Sequence, residues 1–366
     1  MHVMQAAVFR QPHQPLTIES VEIDRPRRRE VLVRTAATGV CHSDLHLVEG
    51  KGRFPIGEPY VLGHEGAGVV EAIGDDVTYV EPSDHIVACL SGFCGMCEQC
   101  LAGHPNLCTG GVTLREAAAG PRLSLGGKPV VQGFGIASYA EYMLLHENSL
   151  VRVDADIPLD RAALVGCGVL TGVGAALRTA AVRAGQTVAV FGCGGVGLCI
   201  IQGARIAGAR QIIGVDRFDS KVEMASVLGA THTVNSTRDD PVQTIRGLTR
   251  NAGVDHAFEA VGNATLVRQA IQSLAIRGTA TIVGVLPPDA NIEFPWMAIR
   301  PECKIQTSRM GSNQFRVDIP NYLELYRQGR LHLDEMVSAR RPLADINDAF
   351  RAMNAGEVAR TVLTFN

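Results

Sequence analysis

The sequence predicts an α/β protein: a doubly wound parallel sheet in the second half, preceded by a mainly β region. Three observations carry this. From about Leu164 to Gly311 short apolar strands alternate with helical stretches, which implies a parallel sheet with helices on both faces. Up to about Val153 the text is instead strand-like and turn-rich, with β-branched runs parted by Gly, Pro and Asp clusters. The composition agrees: 39 Gly in 366 residues, one Trp and 5% aromatics suit many tight turns better than an aromatic-rich sandwich.

Taken in order, the first region contains the runs Val31–Val33 and Val69–Ile73. The alternating region has strands at TVAVFG (187–192), QIIGVD (211–216), VDHAFEAV (254–261) and TATIVGV (279–285). Helical patterns such as Lys221–Leu228 and Leu266–Leu274 lie between them. The stretch Val317–Asn366 holds two helix-like segments and ends in the strand TVLTF, so it stops the alternation and is expected to pack back on the first domain. The resulting division is 1–168, 169–309 and 310–366, within the two or three domains that this length suggests. No internal repeat and no low-complexity linker interrupts it.

A formal net charge of −3 argues against a basic nucleic-acid protein and an acidic disordered chain. Met1–Gln11 has no apolar stretch resembling a signal peptide, so a soluble, cytoplasmic protein is expected. Thr187–Ala204 runs eighteen residues without a charge and nominally reaches membrane-spanning length. Four glycines within six positions (192–197) favour a buried strand and a buried helix there instead.

Gly192-Cys193-Gly194-Gly195-Val196-Gly197 follows directly on the strand TVAVF. Glycines so placed permit a tight turn, close approach to a pyrophosphate, and close packing of helix on strand. The helix from Val196 to about Ala207 would turn its positive end toward the phosphates. A glycine pattern alone is weak, but Asp216 stands nineteen residues after Gly197 at the end of the next strand. A carboxylate there accepts hydrogen bonds from ribose hydroxyls and repels a 2′-phosphate. The bland alternative is a residue that merely ends a strand and caps a helix. NAD is favoured over NADP.

Ten cysteines are the odd entry in the composition. Cys94, Cys97, Cys100 and Cys108 fall within fifteen residues, and four thiolates satisfy tetrahedral zinc with no position left open. The spacing lacks the Cys-Pro ending of ferredoxin-type runs, and a reducing compartment disfavours disulfides. A structural zinc is expected. A second set is dispersed: Cys41 in GVCHSD, His64-Glu65 in GHEGAG and Cys167 in GCG. Two thiolates and one imidazole would leave one zinc position free. Spacing alone does not select these three, since a lone Cys is usually an inert small hydrophobe and His64 could be a satisfied core histidine.

These motifs, with Thr171 after GCG and EVARTVLTF near the end, occur in the order found in the zinc-dependent medium-chain alcohol dehydrogenases, which the chain resembles over nearly its whole length. The resemblance implies a GroES-like catalytic domain beside the Rossmann doubly wound sheet. It also implies a catalytic zinc on Cys41, His64 and Cys167. Zinc there supplies a Lewis acid that lowers the pKa of an alcohol, and the nicotinamide accepts hydride. Ser43 can accept the hydroxyl proton and His46 can pass it to solvent; the resemblance adds a cofactor ribose hydroxyl between them. Asp44 would orient the His64 ring, and Glu65 could transiently replace the substrate oxygen. Cofactor contacts carried over are His42 and Arg360 at the pyrophosphate, Lys221 near the adenosine ribose and Thr171 near the nicotinamide.

Leu90 and Gly133, small where many relatives carry bulk, together with Phe134 suggest room for an aromatic or long-chain primary alcohol. The sister alternative is a thiol-dependent formaldehyde dehydrogenase acting on S-hydroxymethyl thiols, although the segment Cys108–Gly135 differs from its usual text. A non-catalytic NAD-binding redox sensor is the reading from another class, and retention of Cys41, His64, Cys167, Ser43 and His46 together argues against it. The length of Cys108–Gly135 favours a homodimer over a homotetramer. Neither nucleic acid nor membrane is an expected partner. Cys89, Cys193, Cys199 and Cys303 remain as expected buried small residues.

Overall fold

The computed structural model describes residues 2–51, 57–116, 119–357 and 359–365. Two units organise the chain. One comprises Met1–Cys167, Gln314–Gln328 and Leu333–Asn366; the other comprises Gly168–Asn313 and Gly329–His332. Three details differ from the division at 168/169 and 309/310, the first being that Gly168 already belongs to the second unit. Met310–Asn313 stays with the second unit, where Thr171 Oγ1 meets Met310 Sδ at 3.5 Å and Thr179 Oγ1 meets Ser312 Oγ at 2.8 Å. Gly329–His332 joins that unit too, because the Gln202 amide brackets His332, accepting from its N–H at 2.7 Å and donating to its carbonyl at 3.2 Å.

The second unit is built on a six-stranded parallel sheet. Its spatial order is His232–Asn235, Gln211–Asp216, Thr187–Phe191, Val254–Glu259, Leu274–Ile282 and Lys304–Thr307. Numbered in chain order this is 3-2-1-4-5-6, the doubly wound dinucleotide arrangement, with the order reversing beside Thr187–Phe191. That strand is buried along its length, which explains why TVAVF reads as a continuous apolar run. Helices Gly195–Ile206, Asp219–Val227, Pro241–Leu248 and Ala264–Gln272 make the crossovers. The charge-free stretch 187–204 is thus a strand and a helix. The described helix long and apolar enough to span a membrane is another one, Leu159–Thr179, and 78% of its apolar window is buried inside the fold.

In the first unit, His2–Phe9, Thr17–Ile23, Leu123–Leu125, Lys128–Gln132 and Tyr60–Val61 close a small barrel. A seven-stranded sheet accompanies it, ordered Leu150–Val153, His85–Ala88, Glu65–Ile73, Glu30–Gly39, Arg360–Thr364 and Val337–Pro342, with Tyr142–His146 also pairing to Glu30–Gly39. Register in this sheet positions the chemistry. Gly39 pairs with Glu65 on one side and with Val362 on the other. The segments that follow Gly39 and precede Glu65 and Val362 therefore gather at one end of the sheet, and they carry Cys41, His64 and Arg360.

Candidate active site

Cys41 is the N-cap of the helix His42–Val48, reached directly from the strand Glu30–Gly39. His64 and Glu65 lead into Glu65–Ile73. Cys167 comes from the long helix, in a π-helical turn at Val165–Val169; such widened turns recur at functional sites because they re-aim a side chain. The ligand atoms of Cys41, His64, Glu65 and Cys167 lie within 4.8 Å of one another, and all four residues are buried. Close strand approach is needed here: a Cβ built on Gly39 would lie 2.0 Å from Glu65 Oε2.

This donor set fits zinc. His64 Nε2 is buried without a hydrogen-bond partner, an orphan that native interiors rarely tolerate. Two sulfurs and one imidazole beside it match a zinc centre with an open position. Around the cluster, Asp44 is fully buried and organises three neighbours. Its Oδ1 accepts from Gly63 N–H at 2.9 Å, and its Oδ2 lies 3.0 Å from both His64 Nδ1 and the Tyr139 hydroxyl. Burial opposes a charge on His64, but Asp44 and Cys41 outweigh it and hold its pKa at about 10. A hydrogen bond from the Cys167 thiol, joined by the His64 charge, overcomes burial and holds the Cys41 thiol well below its usual value; Cys167 rises in consequence.

Glu65 is not free to swing at will: its carboxylate accepts from the Arg360 guanidinium. Arg360 is itself 6% exposed and feels Cys41. The structure thus sets Arg360 on Glu65, a pairing the sequence did not suggest. Ser43 is half-buried, His42 is exposed, and the His42 and His46 rings stand 6.2 Å apart on one short helix. Ser43 and His46 are three residues apart on that helix and share a face. Burial and then Lys51 depress the His46 pKa. The Phe134 ring, 38% exposed, stands 4.6 Å from the His64 ring, next to buried Gly133. Leu90 is half-buried and packs on the sheet core. Tyr139 escaped the sequence reading altogether, because nothing local ties SYAEY to an aspartate 95 residues earlier.

The four-cysteine loop is a second centre, with all ligand sulfurs within 4.8 Å. Cys94 and Cys100 sulfurs are 4.0 Å apart and those of Cys97 and Cys108 3.9 Å. A zinc tetrahedron with bonds of about 2.3 Å has edges of about 3.8 Å, whereas a disulfide needs about 2.05 Å. Backbone N–H groups already point at the sulfurs: Cys94 N–H at Cys108, and Met96 and Cys97 N–H at Cys94. Amides of Thr109 and Cys100 lower the Cys97 thiol to about 5. Of the four cysteines expected to be buried, Cys89, Cys193 and Cys199 are so, but Cys303 is partly exposed because it sits just before the edge strand, its thiol 3.1 Å from the Ala275 carbonyl.

In the second unit the glycine turn Gly192–Gly197 ends the buried strand, and Gly194 caps Gly195–Ile206 without a side-chain hydrogen bond. Asp216 does more than end its strand. Its Oδ2 accepts from Cys193 N–H at 2.8 Å, and its Oδ1 accepts from Arg217 and Phe218 N–H. Lys221 lies on the next helix, where burial lowers its pKa and Asp216 opposes that. Thr171 is buried within Leu170–Gly174.

Cys and His clusters that could hold zinc, in one chain with a sheet of the dinucleotide-binding strand order, are the features of a zinc- and nucleotide-dependent dehydrogenase. The chain matches the alcohol dehydrogenase GroES-like domain over residues 27–155 and the zinc-binding dehydrogenase domain over 195–328. It is 37% identical to a class-3 alcohol dehydrogenase of Zea mays, over 98% of this chain and 96% of that protein. It is also 37% identical to an S-(hydroxymethyl)glutathione dehydrogenase of Haemophilus influenzae, over 99% and 97% of the two. The benzyl alcohol dehydrogenase of Acinetobacter calcoaceticus superposes with a TM-score of 0.92 at 32% identity, covering 100% of both chains. The protein belongs to the zinc-dependent medium-chain alcohol dehydrogenases, enzymes that use zinc and NAD to interconvert alcohols and aldehydes.

Proposed function

We propose that this enzyme oxidises a bulky primary alcohol, aromatic or long-chain, to its aldehyde. The observation that carries the reading is the Phe134 ring, 38% exposed and 4.6 Å from the His64 ring; Gly133, expected to open the pocket, does not, because a Cβ there would lie 2.8 Å from the Val61 carbonyl. The likeness to a benzyl alcohol dehydrogenase supports it. Cys41, His64 and Cys167 would hold a zinc, which supplies Lewis-acid activation of the hydroxyl. Asp44, 3.0 Å from His64 Nδ1, fixes the ring and leaves Nε2 as the atom that would bind the zinc. Ser43 Oγ takes the hydroxyl proton, and the His46 imidazole, whose pKa is lowered, delivers it to solvent. Glu65 offers an alternative oxygen donor, held back by Arg360. Cys94, Cys97, Cys100 and Cys108 would hold a structural zinc.

For NAD, the amides from Gly192 through Gly194, Gly195, Val196 and Gly197 receive the pyrophosphate and Asp216 the adenosine ribose. Lys221, Thr171, His42 and Arg360 complete the cofactor contacts. A homodimer is supported by the open edge of Lys304–Thr307 and by Trp296 and Met297, which are 80% and 86% exposed. None of the ten cysteines, all among the described residues, is in a disulfide, which suits the reducing cytoplasm.

Metal analysis and a substrate panel test the reading. Wild-type protein should carry two zincs per chain, as the two ligand sets require. Cys41→Ser should lose one of them together with NAD-linked oxidation. Benzyl alcohol and octanol should be turned over better than ethanol without added thiol. Activity on formaldehyde that requires glutathione would transfer the assignment to the thiol-dependent sister reaction. NAD binding with no alcohol turnover would favour a sensor.

A further inference from the structure

Two parallel neighbours in the six-stranded sheet, Thr187–Phe191 and Val254–Glu259, each end in a turn and then a helix. Both helix N-termini consequently lie at the same edge of the sheet, and either could attract a phosphate. They are furnished differently. The helix Gly195–Ile206 starts at Gly194 with no side-chain cap. The helix Ala264–Gln272 is capped, and the loop before it is tied to a carboxylate. Asn263 Oδ1 accepts from Thr265 and Leu266 N–H, and Glu259 Oε1 accepts from Val261, Gly262 and Asn263 N–H at 2.9, 2.8 and 3.2 Å. Glu259 is completely buried, and its Oε2 has no partner. Its backbone carbonyl also receives the N–H groups of Val283 and Gly284.

We propose that the Glu259 carboxylate is an internal anion that ties the three amides just before the second helix, whose own first turn Asn263 caps, and so positions the loop 260–263 for the dinucleotide. Two consequences follow from the geometry. The pyrophosphate is directed to the uncapped terminus of this pair, at Gly195. The loop is also held against the glycine turn: Ala260 N–H donates to the Phe191 carbonyl at 2.9 Å, and a Cβ built on Gly192 would lie 2.3 Å from Val261 Cγ2. The backbone of the phosphate turn and the Val261 side chain thus share one surface, whose shape depends on three amides gripped by one carboxylate. Glu259 touches no reacting atom; it is a positioning residue, and its role rests on the dehydrogenase reading above.

The test uses the zinc-loaded enzyme, with NAD dissociation constants from calorimetry. Glu259→Gln keeps the shape but removes the charge that strengthens all three bonds. Its affinity for NAD should fall roughly tenfold, the scale of weakened charge-assisted hydrogen bonding. The KM for alcohol and the zinc content should stay as in wild type. Glu259→Ala uncovers the amides, so excess formate should raise its melting temperature and restore NAD affinity while leaving wild type unchanged. A wild-type protein that fails to bind NAD would sink the dehydrogenase reading itself. Normal NAD binding by wild type with equal affinity in Glu259→Gln, or no formate response in Glu259→Ala, overturns the positioning role.

Discussion

Asp44→Asn is the sharpest test of the zinc centre, because it exchanges one oxygen for an N–H₂ without changing size. Asp44 makes three contacts with no solvent to soften a loss, since Asp44, His64 and Tyr139 are all 0% exposed. If His64 Nε2 binds the metal, Nδ1 carries the proton and donates toward Asp44 Oδ2 at 3.0 Å. In the variant one orientation sets an amide N–H₂ against that N–H. The flipped orientation sets it against the Gly63 N–H, now 2.9 Å from Oδ1. Either way two buried donors face each other, and one orphaned donor costs about 1–3 kcal/mol. At about 1.4 kcal/mol per decade this is roughly a 5- to 150-fold loss of zinc affinity, overlapping the 10–100-fold typical when a metal ligand loses its orienting partner. Titration with a competing chelator reads it directly. One of two zincs should be released at lower chelator concentration, while the four-cysteine site is unaffected. Tyr139→Phe removes only the hydroxyl bond to Asp44 and should shift the same titration by severalfold, in line with about 1 kcal/mol. Two zincs held as tightly by Asp44→Asn as by wild type would refute the orientation argument.

The remaining predictions address the rest of the molecule. Asp216→Gly removes the group expected to exclude a 2′-phosphate and leaves Arg217 beside the site; NAD affinity should fall, since Cys193, Arg217 and Phe218 N–H lose their acceptor, and the NADP-to-NAD ratio of kcat/KM should rise by about tenfold or more. Cys97→Ser should release the structural zinc alone and render the loop 94–108 cleavable by thermolysin, with the catalytic zinc retained. His146 is buried, its Nδ1 accepts the Asn148 N–H at 3.0 Å, and burial and then Arg29 lower its pKa to about 4. Because the folded value lies below the unfolded value of about 6.5, the folded protein binds fewer protons, and this stability is complete above pH 6.5 and lost as pH falls toward 4. Between pH 7.5 and 5 the loss is about 2 kcal/mol. Urea unfolding of wild type and His146→Gln at both values should show the wild type losing more, by that amount.

Most of the second unit was legible because its signals are local. A buried parallel strand is a continuous apolar run, and Gln211–Asp216 begins and ends where the sequence places it. Strands read a little long, as VDHAFEAV did, stop at Glu259, whose side chain turns to accept from the amides of Val261, Gly262 and Asn263. The four-cysteine loop was legible for the same reason, since its ligands lie within fifteen residues. The dispersed centre was not legible from spacing: Cys41 and His64 come together through the pairing of Gly39 with Glu65, and no local pattern encodes which strand pairs with which. Tyr139 and the Glu65–Arg360 pair were hidden for that reason.

Cys167 shows why a resemblance could point to a residue of the cluster that periodicity could not. Leu159–Thr179 is apolar and mostly buried, so an ordinary 3.6-residue pattern has no polar face to set a phase, and any one cysteine in it looks like core. The π-helical turn Val165–Val169 changes the phase where the thiol must emerge. Gly166 lies in that turn, and a Cβ there would come 2.5 Å from the Ala88 carbonyl, so helix and strand touch backbone to backbone. A side chain on residue 166 would push the helix off the sheet and carry Cys167 away from Cys41 and His64. Gly166→Ala should therefore lower catalytic zinc content although it alters no ligand, whereas the same change at Gly247, where a Cβ meets nothing within 4 Å, should not.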